Sequence, residues 1–116
     1  MLASFVLWHL RIGFRRLYLY FDDPDDAGIG QAQKLRRDAA RNGFGNDAVR
    51  VVPCDDRIRG EWASLTTHER WDVRKVEHHV EVRQLLNAEH GLRAAHADGD
   101  IDWLLHIDSD ELFFID

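Results

Sequence analysis

Three acidic residues close to the C-terminus are the side chains of this chain most suited to chemistry. Asp108 and Asp110 stand two positions apart, and Glu111 follows directly. Carboxylate oxygens at this spacing can bind a hard divalent cation that keeps open coordination positions for phosphate oxygens. The same three residues are also compatible with a solvated turn. The spacing alone therefore predicts a candidate site for a metal ion and a phosphate group, with the turn as the alternative.

The apolar run at residues 103–107 comes directly before these acids. Its composition predicts a buried β-strand that begins at Trp103 and ends at Ile107. In open α/β sheets, ligands bind outside the carboxyl ends of the strands. A strand at this position would therefore deliver Asp108 and Asp110 to the edge of a sheet where a ligand binds.

Alternating helices and strands are predicted along the rest of the chain. Apolar spacing favours helices over residues 2–10, 28–41 and 80–98, and buried strands over residues 17–21 and 49–52. Residues 57–79 mix tryptophan and valine with many charges, which predicts a loop with one or two helical turns. This order is typical of an α/β domain with a parallel sheet. Right-handed crossovers would then place the acidic strand ends on one rim of the sheet.

Composition limits the possible partners. The formal net charge of −6 argues against nonspecific nucleic-acid binding, which requires a basic surface. Cys54 is the single cysteine, so an intrachain disulfide and a cysteine-rich zinc site are both excluded, and we predict a buried, unreactive thiol. The apolar opening at residues 1–10 is too short to span a bilayer and does not have the pattern of a signal peptide. We predict one domain without a membrane segment.

Histidine and tryptophan are abundant, but the histidine spacing does not indicate a metal site, and the tryptophans are first of all candidates for the core. His90 and His96 are six positions apart, which is not the spacing of helical zinc ligands, and His106 is predicted to pack inside the last strand. The four tryptophans are predicted to supply core area. For Trp62 and Trp71 the alternative is that they line a sugar site.

Several motifs together resemble the GT-A fold glycosyltransferases that use nucleotide-diphospho-sugars, in the branch similar to families 2 and 92. The motifs are, in chain order, Trp8-His9 with Gly13, Leu17-Tyr18-Leu19-Tyr20-Phe21-Asp22-Asp23-Pro24 with Asp26, Arg83-Gln84 with Asn87, and Trp103-Leu104-Leu105-His106-Ile107-Asp108-Ser109-Asp110-Glu111-Leu112. The resemblance implies that residues 1–116 form a single, partial, Rossmann-like GT-A domain, with a mainly parallel sheet flanked by helices. It corresponds to the donor-nucleotide half of such enzymes.

The resemblance also implies roles for particular residues. Asp108 and Asp110 match the Asp-x-Asp pair that holds Mn²⁺ or Mg²⁺, and Asp108 also faces the ribose of the donor. The cation neutralises the charge of the departing nucleoside diphosphate. Asp22 and Asp23 match acids that contact the base and ribose. The helical residues that match positions facing the donor are Arg83 and Asn87.

Each of these assignments has a structural alternative. The acids of residues 22–26 are also good turn formers, and Arg83 can simply pair with an acid on a solvated helix face. The resemblance assigns no catalytic residue to this chain, because relatives place the carboxylate base of their inverting displacement in a segment after Asp-x-Asp. Relatives also begin with one more strand, which lies between the Tyr20 strand and the Asp108 strand.

The implied reaction moves a sugar from a nucleotide-diphospho-sugar donor to a glycan, lipid or protein acceptor. Relatives work in the bacterial cytoplasm or in the Golgi lumen, so the compartment stays open. Two other functions are kept as alternatives. One is a noncatalytic remnant that binds nucleotide or a partner. The less favoured is a phosphoryl-transfer fragment of the haloacid-dehalogenase kind, which places Asp-x-Asp near its start and Thr or Val two positions after the second aspartate, where this chain has Leu112.

Overall fold

Two parallel strands form the sheet in the computed structural model, which describes residues 1–69, 73–109 and 111–113. Strand β1 (Leu17–Phe21) pairs with β2 (Val49–Pro53) in register from Leu17 opposite Val49 to Phe21 opposite Pro53. The strand segments are short and rich in valine, leucine and tyrosine, which pack well on a pleated surface. The predicted α/β class with parallel strands is confirmed, and β2 extends to Pro53, one residue past the predicted strand.

One face of the sheet is covered by two helices, α1 (Leu2–Arg11) and α2 (Gly28–Arg41). Alternate residues of each strand point to this face, as the period of a β-strand requires. The predicted bounds of both helices agree with the structure to within one residue. The buried members of the resulting core cluster are Phe5, Val6, Leu10, Leu17, Leu19, Ala32, Ala39, Ala48 and Val49.

The other face is covered by four helices from the second half of the chain. They are α3 (Asp56–Trp62), α4 (Thr66–Glu69), α5 (Val73–His78) and α6 (Val80–Asp98). Their core cluster contains Cys54, Ile58, Trp62, Leu65, Val76, Val82 and Leu86, with Tyr20 and Val52 packed against it from the sheet. The structure therefore has three layers, with α1 and α2 on one side of the sheet and α3–α6 on the other. None of the helices in the described parts of the chain has the length and apolar character needed to cross a lipid bilayer.

The segment before α6 is more helical than predicted. Three short helices occupy most of residues 56–78, where the sequence indicated a loop with one or two turns. Helix α3 buries Ile58 and Trp62, α5 buries Val76, and α4 contains no apolar residue, so no helical period is visible over a longer window. Trp62 is a core residue of this layer, as predicted, with 1% of its surface exposed. Trp71 lies outside the described residues.

The predicted strand at residues 103–107 was wrong. This segment has no regular secondary structure, Trp103 is 93% exposed, and His106 is also exposed instead of packed inside a strand. Residues on either side of the segment are bound to α1 and to the residues just before β1. Asp100 binds the guanidinium groups of Arg15 and Arg16, and the Trp8 indole donates a hydrogen bond to the Phe113 carbonyl oxygen at 2.8 Å. The apolar run lies beside the sheet without pairing with it.

Helix α6 runs antiparallel to β1 across the sheet and is fixed to it by side-chain contacts. Near the start of α6, Arg83 binds Asp22 just after β1, and at its end Asp98 accepts a hydrogen bond from the Tyr18 hydroxyl. Gly99 then ends the helix in the left-handed conformation with φ of 78°, as its position predicts. The contacts place the first turns of α6 beside the carboxyl end of β1.

Arg16 forms the centre of an ionic cluster at the start of β1. Its side chain is only 2% exposed. Its guanidinium group donates to Asp100 at 2.8 and 3.0 Å, to Asp98 at 3.2 Å, and to both the carbonyl and the carboxylate of Asp47. These contacts hold the pKa of Asp100 well below its usual range, chiefly through the Arg16 hydrogen bonds. The cluster joins β1, the loop before β2 and the end of α6.

Glu89 of α6 caps the N-terminus of α4. Its carboxylate accepts hydrogen bonds from the Thr66 and Thr67 backbone N–H groups at 2.9 and 2.8 Å and from the Thr67 hydroxyl at 2.7 Å. The Thr67 hydroxyl is the largest cause that lowers the pKa of Glu89 to about 2, and the two backbone donors and Arg93 contribute in the same direction. A group whose pKa is lowered by folding stabilises the fold above its unfolded pKa and loses this effect as the pH falls.

Replacing Glu89 with glutamine is therefore expected to reduce the free energy of unfolding at pH 7 by roughly 1–3 kcal/mol, since a charged acceptor is lost from three hydrogen bonds. The difference between variant and wild type should shrink as the pH falls from 4.5, the ordinary value, toward 2. Urea unfolding at a series of pH values measures both the loss of unfolding free energy at pH 7 and its change with pH. The matched control is Glu81→Gln, an exposed acid in the first turn of α6. A pH-independent loss at Glu89 would contradict the assigned role.

Candidate functional site

A groove of about 920 Å³ runs along the side of β1 that does not face β2. Its walls are α1, α6 and residues 101–109. The lining includes the whole of β1 and continues past its carboxyl end to Asp22, Asp26, Gly28 and Gln31. Helix α6 contributes Val80, Gln84, Asn87, Ala88 and Gly91, and the later segment contributes residues up to Asp108 and Ser109. The groove therefore borders several of the residues that the sequence indicated as site residues.

Asp22 and Arg83 lie at the carboxyl end of β1 and form a two-point ion pair. The guanidinium Nε and Nη2 atoms donate to the two carboxylate oxygens at 2.7 and 3.0 Å. The guanidinium group also donates to the carbonyl oxygens of Val76 and Glu77, and its hydrogen bond to Asp22 raises the pKa of Arg83. Arg83 is 15% exposed and Asp22 is 41% exposed. The pair thus fixes a half-exposed carboxylate at the rim of the groove.

Asp23 and Asp26 act in the turn after β1. The Asp23 carboxylate accepts from the Asp25 N–H at 2.9 Å, and the Asp26 carboxylate accepts from the Gly28 N–H at 2.7 Å. Asp26 borders the groove, whereas Asp23 is exposed and does not line it. These contacts are those of turn-forming aspartates.

The side-chain oxygen of Asn87 is hydrogen-bonded to two core residues. Its Oδ1 accepts from the Trp62 indole N–H at 3.1 Å and from the Cys54 thiol at 3.4 Å. Cys54 is fully buried, as predicted, and burial raises the pKa of its thiol. Because Asn87 also lines the groove, its remaining amide group is the part that a ligand can contact.

Asp108 lies in a turn at the other wall of the groove and is exposed. Its N–H donates to the Glu111 carboxylate at 2.9 Å, and its carbonyl oxygen accepts from the Glu111 N–H at 3.0 Å. Asp110 lies outside the described residues. Among the residues that are described, no three side chains of the metal-binding types are grouped as a ready cation site. The carboxylates that border the groove, Asp22, Asp26 and Asp108, offer oxygen ligands, the type that Mg²⁺ and Mn²⁺ prefer.

Two features near the groove were missed by sequence reasoning. The Tyr20 hydroxyl lies 2.5 Å from His90 Nδ1, and His90 Nε2 lies 3.2 Å from the Glu61 carboxylate, so these three residues form a hydrogen-bonded chain. Burial raises the pKa of Tyr20 above its usual range. The other missed feature is that Gln84 lines the groove. The motif contained this residue, but no role was predicted for it. No local pattern identifies a contact such as Tyr20 to His90, because its partners are 70 residues apart.

Comparison with known proteins gave no relative, since no protein family, no curated protein and no solved structure matches the chain.

Proposed function

We propose that the chain binds a nucleotide-diphospho-sugar and forms the donor-binding part of a metal-dependent GT-A glycosyltransferase. One observation carries this proposal. Asp22, Asn87 and Asp108 are far apart in sequence, yet all three border one groove, and Arg83 holds Asp22 in place at its rim. These are four of the residues that the motif assigned to donor binding, and the groove has the size of a small-molecule site.

Each side chain has a distinct task in this proposal. Asp22 keeps lone pairs available to accept hydrogen bonds from ribose or base while Arg83 fixes its orientation. The amide groups of Asn87 and Gln84 offer further polar contacts. Asp108 and Asp110 would hold Mn²⁺ or Mg²⁺, which when bound supplies positive charge for the diphosphate leaving group. The partners are then the sugar-nucleotide donor and a glycan, lipid or protein acceptor.

A noncatalytic binding protein is the second candidate, and one observation favours it. Residues 103–107, which directly precede Asp108, are outside the sheet and largely exposed, so Asp108 is not fixed at a strand end. Catalysis depends on side chains held in a productive geometry. This candidate predicts nucleotide binding without hydrolysis or transfer of the sugar, which separates it from the enzyme.

Titration with UDP and with GDP, each with and without Mn²⁺, tests the donor site. We expect binding that requires Mn²⁺ and that Asp108→Asn weakens by about tenfold or more, the loss typical of a disturbed metal site. The matched control is Asp102→Asn, an exposed acid of the same segment that does not line the groove. A folded chain without Mn²⁺-dependent binding, or equal losses in both variants, would refute the donor site.

A further inference from the structure

Three aromatic residues at and just after the end of α1 bind Phe113. The Trp8 indole N–H donates to the Phe113 carbonyl oxygen at 2.8 Å, and the Phe113 N–H donates to His9 Nε2 at 3.3 Å. The Phe14 ring meets the Phe113 ring edge-on, with 5.7 Å between the ring centroids. Trp8, His9 and Phe14, which we call the α1 aromatic cluster, therefore hold this residue by two hydrogen bonds and a ring contact.

The contacts of His9 determine which of its ring nitrogens accepts. His9 is 1% exposed, and its Nδ1 lies 2.7 Å from the Phe5 carbonyl oxygen. A carbonyl oxygen only accepts, so we place the ring proton on Nδ1 and the lone pair on Nε2. The backbone N–H of Phe113 only donates, and it is the group that Nε2 meets. The buried imidazole is thus oriented to accept from Phe113.

Gly13 brings Phe14 into this cluster. Its φ of 110° ends α1 in the left-handed region, where glycine is favoured. The Gly13 N–H donates to the Leu10 carbonyl oxygen at 3.2 Å, and the Phe14 N–H donates to the His9 carbonyl oxygen at 3.0 Å. This is the Schellman pattern, which commonly packs the residue after the glycine against the last turn of the helix, and the His9 and Phe14 ring centroids are 5.3 Å apart. The motif of Trp8-His9 with Gly13 therefore builds the cluster.

The segment that the cluster holds contains the turn of Asp108 and Glu111. These two residues are joined by two hydrogen bonds, at 2.9 and 3.0 Å, and Phe113 follows two positions later. On the other side of the turn, Ile107 packs against the core cluster shared by α1, α2 and the sheet. The turn is therefore attached on both sides, although residues 103–107 pair with no strand that the structure describes.

We propose that Trp8, His9 and Phe14 are positioning residues for Asp108, which they hold at the border of the groove through Phe113. Residues that orient a metal ligand contribute strongly to metal affinity. Since Asp108 does not follow a strand, the α1 aromatic cluster supplies the attachment that a strand end would give. The role of Asp108 rests on the proposed function, whereas the contacts of the cluster do not.

The double variant Trp8→Phe/His9→Leu tests the proposal in the whole chain. It removes both hydrogen bonds to Phe113 and keeps apolar side chains at both positions. We expect the amide protons of Glu111 and Phe113 to exchange about 25-fold faster in NMR measurements, because each lost hydrogen bond contributes roughly fivefold. We also expect the Mn²⁺-dependent binding of UDP or GDP to weaken by about tenfold, as is typical when the support of a metal ligand is lost.

Two single variants complete this comparison. Leu7→Ala is the matched control, because Leu7 is an exposed residue of α1 that does not line the groove. It should leave both amide exchange and nucleotide affinity at the wild-type values. Trp8→Phe alone keeps an aromatic ring and loses the indole donor, so smaller changes in the same direction are expected. This milder variant keeps the test decisive where the double variant unfolds.

A cycle with Asp108→Asn separates positioning from general destabilisation. If the cluster acts through Asp108, its variants should cause no further loss of nucleotide affinity once Asp108 is replaced. Equal losses in both backgrounds, or unchanged exchange of the Glu111 and Phe113 amides, would overturn the proposal and leave the proposed function standing. A wild-type chain without Mn²⁺-dependent binding would instead refute the proposed function, and with it the role given to Asp108.

Discussion

Replacing Trp62 with alanine is expected to lower the free energy of unfolding by about 4 kcal/mol, the size observed for large-to-small changes at buried aromatic residues. Trp62 is the largest fully buried side chain of the structure's described residues. Its ring packs between Cys54, Ile58 and α6, its N–H donates to Asn87, and the Arg59 guanidinium lies 5.1 Å from the ring centroid. Alanine would leave a cavity in the layer that covers the sheet.

Two variants separate the packing of Trp62 from its hydrogen bond. Trp62→Phe keeps most of the apolar area and loses the N–H donor, so we expect a smaller loss of about 1–2 kcal/mol, from the lost hydrogen bond to Asn87 and the reduced volume. Trp103→Ala changes a tryptophan that is 93% exposed and should stay within about 0.5 kcal/mol of wild type. Urea denaturation followed by circular dichroism measures all three. Equal losses at Trp62 and Trp103 would contradict the structure.

Replacing Arg16 with alanine is expected to cost about 3 kcal/mol, because breaking a buried ionic network leaves its remaining charges without compensation. The variant would leave the carboxylates of Asp47, Asp98 and Asp100 close together without the guanidinium group that joins them. Arg16→Lys keeps the positive charge but cannot form the same fork of hydrogen bonds, so an intermediate loss is expected.

Arg15→Ala is the matched control for the Arg16 variant. Arg15 is 56% exposed and contacts Asp47 and Asp100, two of the same acids. Exposed ion pairs contribute little, so its loss should stay below about 1 kcal/mol. Because Arg16 lowers the pKa of Asp47 and Asp100, its contribution is complete above the ordinary value of 3.8 and declines as the pH falls below it. Thermal unfolding at pH 7 and pH 3 checks the order of the losses in the three arginine variants and the decline of the Arg16 contribution at low pH.

The sequence predicted those elements that are determined by local pattern. Helices α1, α2 and α6 and strands β1 and β2 each have a clear apolar period or run, and Gly99 marks the end of α6. The segment 103–107 has the same local signature as β1, yet it forms no strand. A strand requires a neighbouring strand at hydrogen-bonding distance, and local composition does not show whether the fold provides one. The residues that flank the segment, Asp100 and Phe113, make contacts with Arg16 and Trp8, which lie 84 and 105 positions earlier and which no local window includes.

The motifs singled out several residues that the fold brings to the border of one groove. Asp22, Asn87 and Asp108 do border one groove, and the contact between Asp22 and Arg83 joins two residues that were singled out separately. The role of Arg16 was not predictable. In the sequence it is one of two arginines that precede a strand. In the fold it contacts three aspartates, which connect parts of the chain up to 84 residues apart.

The antiparallel course of α6 along β1 has a consequence for how the chain reaches its fold. The contacts of α6 with β1 and its flanking residues join positions 61 to 82 residues apart, whereas α1, β1, α2 and β2 lie within the first 53 residues. Contacts of such separation close late because the loop entropy must be overcome first. During synthesis, the first half of the chain emerges with the Tyr18 and Tyr20 side of its sheet uncovered. We therefore expect docking of α6 to be the slow step, with that sheet face as the surface through which the nascent chain can aggregate until docking occurs.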